Sequence, residues 1–127
     1  MVESLNHTVD LTIKGTSFVS MTAYGEIMVG DKAFEFYDER NTANYIQIPW
    51  ENVDAVVVSL VFGGKYIPRF AFKSDKGIMY SFAAKDPKKV LRAIREYIPA
   101  DRIVRSLSFF QVLGNGLKNI GNKIRGH

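Results

Sequence analysis

Apolar and polar residues alternate with a period of two through the first two thirds of this chain, and the period lengthens to that of a helix near residue 86. Val9, Leu11 and Ile13 alternate with Asp10, Thr12 and Lys14, the pattern of a strand with one buried face. The stretches 26–29 and 33–37 flank Gly30-Asp31, a two-residue turn signal, and in the second arm Phe34 and Phe36 alternate with Glu35 and Tyr37. Tyr45, Ile46 and Ile48 predict a short strand ended by Pro49, which cannot donate to a ladder. The β-branched run from Val53 to Phe62 closes at Gly63-Gly64. Ile67 to Lys73 and Ile78 to Ala83 flank Asp75-Lys76-Gly77, a hairpin loop with a residue suited to positive φ. That makes seven strands, and their short connections predict antiparallel neighbours.

Beyond the strands, Asp86-Pro87 reads as a helix start, with Asp capping exposed amides and Pro fitting the first turn. Val90, Leu91, Ile94, Tyr97 and Ile98 form one stripe, and Lys88, Lys89, Arg92 and Arg95 lie mainly away from it. Pro99 ends this helix. A second helix, capped by Asp101, is expected through Ile103, Val104, Leu107, Phe110 and Leu113. Gly114 and Gly116 then break it, each costing about 1 kcal/mol relative to Ala. The expected organisation is one domain over residues 1–113 and a basic, glycine-containing tail over 114–127.

This is an α+β class chain: seven antiparallel strands in a bent sheet or barrel, capped by a C-terminal helix, with a second helix and a tail. The outline resembles a pleckstrin-homology-like domain. The passage Ile48-Pro49-Trp50-Glu51-Asn52-Val53 resembles the strand-turn-strand entry of the related GRAM domains. Trp50 is expected to anchor a core or barrel rim.

With 127 residues a single hydrophobic core is the natural expectation, and an apolar fraction of 46% suits a globular chain. No cysteine occurs, which excludes a disulfide framework and thiolate metal sites and fits a reducing compartment. The first ten residues lack the cationic start and apolar run of a secretion signal. The densest apolar stretch, 55–62, is eight residues long, against about 20 for a bilayer-spanning helix. A cytoplasmic protein is expected, at most peripheral to the inner face of the membrane.

Charge is segregated. Residues 1–84 carry seven Lys and Arg against ten acids, whereas residues 85–127 carry ten against three. The excess of cations in the helical part suggests an acidic protein surface, anionic lipid or nucleic acid as partner, or simply a solvated helix face.

Residues able to carry chemistry are sparse. His7 and His127 lie near opposite ends, neither with a nucleophile or carboxylate at motif spacing, so exposed histidines are expected rather than a triad or phosphoryl carrier. Asp38, Glu39, Glu51 and Asp54 fall in turns, where acids are ordinarily solvated, and lack the dense oxygen pattern of a calcium loop. There is no P-loop and no dinucleotide-binding glycine pattern, and Gly114-Asn115-Gly116 reads as a hinge or helix cap. No catalytic, metal or cofactor site is implied.

Candidate contact residues fall in two places. Phe62, Gly63, Gly64, Lys65 and Tyr66 read as a tight turn that presents two aromatics and a cation; Arg69 adds a second cation nearby. In the tail, Leu113, Leu117, Ile120 and Ile124 recur at spacings of four, three and four, accompanied by Lys118, Lys123 and Arg125. If helical this is a cationic amphipathic segment, and Gly114, Gly116 and Gly121 make it one that orders on a partner, on its own domain or on another copy. Phe109 and Phe110 cannot both lie on one stripe, so one is expected to face the domain and the other an interface. Free sheet edges and these aromatics make a homo-oligomer a further expectation.

Over nearly its full length the chain also resembles a small family from low-GC Gram-positive bacteria, a domain of unknown function. The resemblance rests on Val9-Asp10-Leu11-Thr12, the run 24–32, Ile46-Gln47-Ile48-Pro49-Trp50, and the run 62–70. It continues through 85–95 and through 100–110. Members of that family are encoded beside mannose-family phosphotransferase permeases, and some are called mannose-operon (ManO-like) regulators. The resemblance implies association with sugar uptake and supplies no catalytic residues.

The function expected is therefore a non-enzymatic accessory or regulatory module that contacts membrane permease components of a mannose-family phosphotransferase system. The alternatives are an anionic-membrane-binding module acting through the tail, or a transcriptional regulator of the mannose operon. Nucleic acid is the least favoured partner, because no helix-turn-helix accompanies the cations.

Overall fold

The computed structural model of this chain describes residues 3–41, 43–59 and 67–105. Eight strands form one sheet: β1 Val9–Ser17, β2 Ala23–Gly30, β3 Ala33–Asp38, β4 Tyr45–Pro49, β5 Val53–Val58, β6 Phe70–Ser74, β7 Met79–Ala84 and β8 Ile103–Arg105. The order across the sheet is β4-β3-β2-β1-β7-β6-β5-β8. Among the described residues every pairing is antiparallel except β5 with β8, which is parallel. One helix, α1 Pro87–Ile94, follows β7.

The sheet folds back on itself. Phe34 on β3 and Phe72 on β6 have ring centroids 4.4 Å apart, although β2, β1 and β7 lie between them in the sheet. A flat sheet would hold those two strands about 19 Å apart, at roughly 4.8 Å per step. The hinge is β1, which pairs with β2 along most of its length and with β7 only from Gly15 to Ser17. The enclosed core is aromatic: Phe34, Phe36, Phe70, Phe72 and Phe82 are buried, with Ile27, Val29, Val56 and Val58 around them. Val90 and Ile94 of α1, together with Ile98, complete this core.

A three-residue strand stands where the sequence suggests a second helix. Ala100–Arg102 is a single 3-10 turn, and Ile103–Arg105 pairs in parallel with Val56–Val58. The Arg102 guanidinium donates from Nε to the Asp54 carbonyl at 3.1 Å and from Nη2 to the Val53 carbonyl, which holds the chain beside β5. Backbone groups at the β5 edge thus gain partners that a helix starting at Asp101 would leave unmet. The remainder of the expected second helix, Leu107 to Leu113, lies outside the described residues. Among the described residues the sheet accordingly has eight strands rather than seven.

Glu35 is fully buried on the side of β3 opposite the phenylalanines. Residues before β1 cross this side and satisfy it. Ser4 Oγ donates to Glu35 Oε1 at 2.6 Å, the Leu5 amide to Oε2 at 2.7 Å, and Asn6 Nδ2 to Oε1 at 3.2 Å. Asn6 Oδ1 also accepts from the Lys32 and Ala33 amides, both at 2.7 Å. A buried carboxylate is tolerated only with such donors.

Candidate functional site

Four of the cations beyond residue 84, Lys88, Lys89, Arg92 and Arg95, lie on α1 or at its C-terminal cap. The Asp86 carboxylate accepts from the Lys89 amide at 3.2 Å, and Pro87 opens the first turn. This start sets the helical phase. Val90 and Ile94 turn into the core, while Lys88, Lys89 and Arg92 are left exposed, followed by exposed Arg95. Among the described residues the ion pairs are His7 with Asp31, Lys14 with Glu39, and Lys73 with Asp54. Within that set no carboxylate neutralises Lys85, Lys88, Lys89, Arg92 or Arg95.

An open groove of about 450 Å³ lies where β1 meets β7, just before α1 in the chain. Lys14, Lys85 and Tyr24 line it, over backbone from Gly15, Thr16, Ala83 and Ala84. Lys85 is fixed there because its amide donates to the Lys14 carbonyl at 3.0 Å. Glu39 also lines the groove and sits 3.7 Å from Lys14, so one of the two lysines is countered and Lys85 is not.

The far end of α1 is anchored by aromatics. The Tyr97 ring stacks on Trp50, with centroids 5.3 Å apart and planes 9° from parallel. Trp50 Nε1 donates to the Gly30 carbonyl at 2.8 Å, so Trp50 serves as the rim anchor its position suggested. The Tyr97 hydroxyl donates to Asp10 Oδ2. Ionising Tyr97 would break that bond and set two negative charges together, and burial adds to the effect. The Tyr97 pKa is therefore raised from 10.0 to about 12. A folded-state pKa above the unfolded one stabilises fully below pH 10.0, and that contribution is lost as pH rises towards about 12. In an alkaline absorbance titration we expect a late-titrating tyrosine that Tyr97→Phe removes. The variant should also flatten the fall in unfolding free energy over that window. Absorbance lost from the early part of the curve, near pH 10.0, with the late part kept, would show that the hydroxyl makes no such bond.

The carboxylates singled out in sequence have structural work or none. Asp38 accepts from the Arg40 amide at 2.8 Å and from Asn44 Nδ2 at 2.9 Å, which closes the β3–β4 connection and lowers its pKa. Glu39 pairs with Lys14, Asp54 pairs with Lys73, and Glu51 is exposed in a 3-10 turn. No group of three or more His, Asp or Glu among the described residues is placed to hold a metal ion. His7 is largely exposed, with Nδ1 3.9 Å from Asp31.

The contact residues expected from sequence lie outside the described residues: Phe62, Gly63, Gly64, Lys65 and Tyr66 in one segment, and Phe109, Phe110, Leu113, Leu117, Lys118, Ile120, Lys123, Ile124 and Arg125 in the other. His127 lies outside them as well. Arg69, beside the first segment, is described, and its guanidinium stands 4.2 Å from the Phe18 ring centroid. What sequence reasoning missed is the joining of Lys14 to Lys85. The two are 71 positions apart in sequence, and only the β1–β7 pairing brings them together. No helix of the described residues is long and apolar enough to cross a membrane.

A crystal structure of the C-terminal domain of an unknown protein from Leishmania infantum resembles this fold. The TM-score is 0.62 at 10% identity, and the match covers 71% of this chain and 83% of that one. At that identity the likeness concerns fold alone. A search of curated proteins finds none that matches. The family model for a domain of unknown function (DUF956) matches residues 1–117, the whole strand body together with α1 and β8, and the chain belongs to that family.

Proposed function

We propose that this protein is a non-enzymatic, cytoplasmic accessory module of a mannose-family phosphotransferase system. In this reading it has a pleckstrin-homology or GRAM-like fold and acts by contact with the permease components at the inner face of the membrane. The observation that carries the reading is the cationic face of α1. Lys88, Lys89, Arg92 and Arg95 stand exposed at a helix whose other side is locked into the core, and among the described residues none of them forms an ion pair. A rigid helix presenting unneutralised cations attracts and orients an acidic protein surface, and complementarity of this kind sets specificity and encounter rate. The family resemblance supplies the sugar-uptake context. The bent sheet with a helix across its core supports the fold reading. Lys118, Lys123 and Arg125 extend the positive charge in the sequence beyond β8.

Pull-down from native membranes tests the proposal. The full chain should recover permease components, and the triple variant Lys88→Glu, Lys89→Glu, Arg92→Glu should lose at least about tenfold of that recovery, equivalent to 1.4 kcal/mol. Those side chains are exposed, so the variant should keep its fold, which circular dichroism checks. A folded wild-type bait that recovers no permease component would overturn the proposal. Salt-sensitive flotation with anionic liposomes in its place would assign the same cations to lipid.

A further inference from the structure

β1 and β7 share a ladder only from Gly15 to Ser17. One further bond, from the Lys85 amide to the Lys14 carbonyl, follows at 3.0 Å, and the chain then turns into α1 at Asp86-Pro87. The open groove lies at this fork. Its volume of about 450 Å³ is that of a small-molecule site, for which about 300–1,000 Å³ is usual. Gly15 pairs with Gly25 there, and β7 contributes Ala83 and Ala84, so little side chain fills the space. The larger side chains lining it are Lys14, Thr16, Tyr24, Glu39 and Lys85.

The two lysines differ in their neighbours. Lys14 is 3.7 Å from Glu39 and stands across from Glu26 in the β1–β2 register. Lys85 forms no ion pair among the described residues, and the carboxylate of its sequence neighbour Asp86 accepts from the Lys89 amide. An ammonium group offers three donors and no acceptor, so the complement of Lys85 is an anion. Lysine binds phosphate as a point charge. A phosphate has enough oxygens to engage both lysines and the Thr16 hydroxyl, whereas a carboxylate has two. Tyr24 is 58% exposed and offers an aromatic face to the rest of such a ligand.

We propose that this groove binds the phosphate group of a small phosphate ester: Lys85 holds the phosphate, Lys14 leaves Glu39 to share it, and the organic part lies along Tyr24. The site is separate from the permease contact and needs no partner protein. In the full chain, the amide resonances of Gly15, Thr16, Gly25, Ala84 and Lys85 should shift with phenyl phosphate and with inorganic phosphate, and stay in place with sodium chloride of equal ionic strength. Lys85→Gln should weaken phenyl phosphate binding by at least about tenfold. Glu39→Gln should tighten it, because Lys14 is then free, and damage to the fold produces no such gain. Tyr24→Ala should weaken phenyl phosphate and leave inorganic phosphate unchanged. Phosphatidylcholine vesicles containing phosphatidic acid, which carries the same monoester, separate the sources: displacement of phenyl phosphate assigns the groove to a lipid headgroup, and no displacement assigns it to a soluble ester. Shifts absent with both phosphates, reproduced by sodium chloride, or unaltered in Lys85→Gln would overturn the proposal, whether or not the chain recovers permease components.

Discussion

Phe34→Ala should cost about 3–5 kcal/mol of unfolding free energy, the range for losing a buried phenylalanine. Phe34 is where the two halves of the folded sheet meet. Its ring lies 4.4 Å from Phe72, 4.8 Å from Phe82 and 6.0 Å from Phe70, centroid to centroid, and it is fully buried. Those partners sit on β6 and β7, so the residue joins strands that share no hydrogen bonds with β3. Rigid strands on both sides prevent the site from collapsing, which places the loss towards the upper end. Against a typical total of about 5–15 kcal/mol, that leaves a weakly folded protein at best. Urea unfolding should show a lower midpoint with an unchanged slope. Phe34→Leu should lose clearly less, since it keeps most of the volume. A loss below about 1 kcal/mol for the alanine variant would mean that the halves are not closed over a shared core.

Much of this architecture is legible in the chain because its cause is local. The alternation in 9–14, 33–37 and 78–83 marks strands whose inward positions include Leu11, Ile13, Phe34, Phe36 and Phe82, and Asp86-Pro87 marks the start of α1 because cap and first-turn chemistry are properties of adjacent residues. Gly77 has φ of +82°, as the hairpin loop Asp75-Lys76-Gly77 required.

What was not legible depends on distant partners. Ile103, Val104, Leu107 and Phe110 fit a helical spacing as well as a strand, and the deciding contacts are with Val53, Asp54 and the β5 edge. Glu35 sits between Phe34 and Phe36, so alternation sends it to solvent. Ser4, Leu5 and Asn6 bury it instead, and no apolar pattern marks those residues. The Lys14–Lys85 groove was hidden for the same reason. The α1 cations were visible, but that none of them forms an ion pair among the described residues depends on packing.

Gly25 shows how a residue that looks like a strand breaker becomes a condition of the fold, and Gly25→Ala should be the most damaging single-methyl addition among the described residues. A Cβ there would stand 2.0 Å from the Tyr37 carbonyl oxygen and 3.0 Å from the Asp38 Cα, both backbone of β3. Overpacking usually costs about 1–3 kcal/mol when side chains can move aside. Here the obstacle is the neighbouring strand, so the cost should reach or exceed the top of that range. The site is also the corner of the fold. Gly25 pairs with Gly15, and Gly15 is where β1 begins to pair with β7. A glycine at such a bend allows the backbones to approach. Moving β3 away would strain the bonds from the Glu39 amide to Tyr24 and from the Asp38 amide to Asn44. It would also shift the backbone beneath Lys14 and Lys85, so under the proposed function recovery of permease components should fall together with stability. Gly77→Ala is the informative control. Nothing lies within 4 Å of a Cβ at Gly77, and only its positive φ opposes the change, at a cost of about 1–2 kcal/mol. Gly25→Ala no more destabilising than Gly77→Ala would show that β2 and β3 are not in the close contact that bends this sheet.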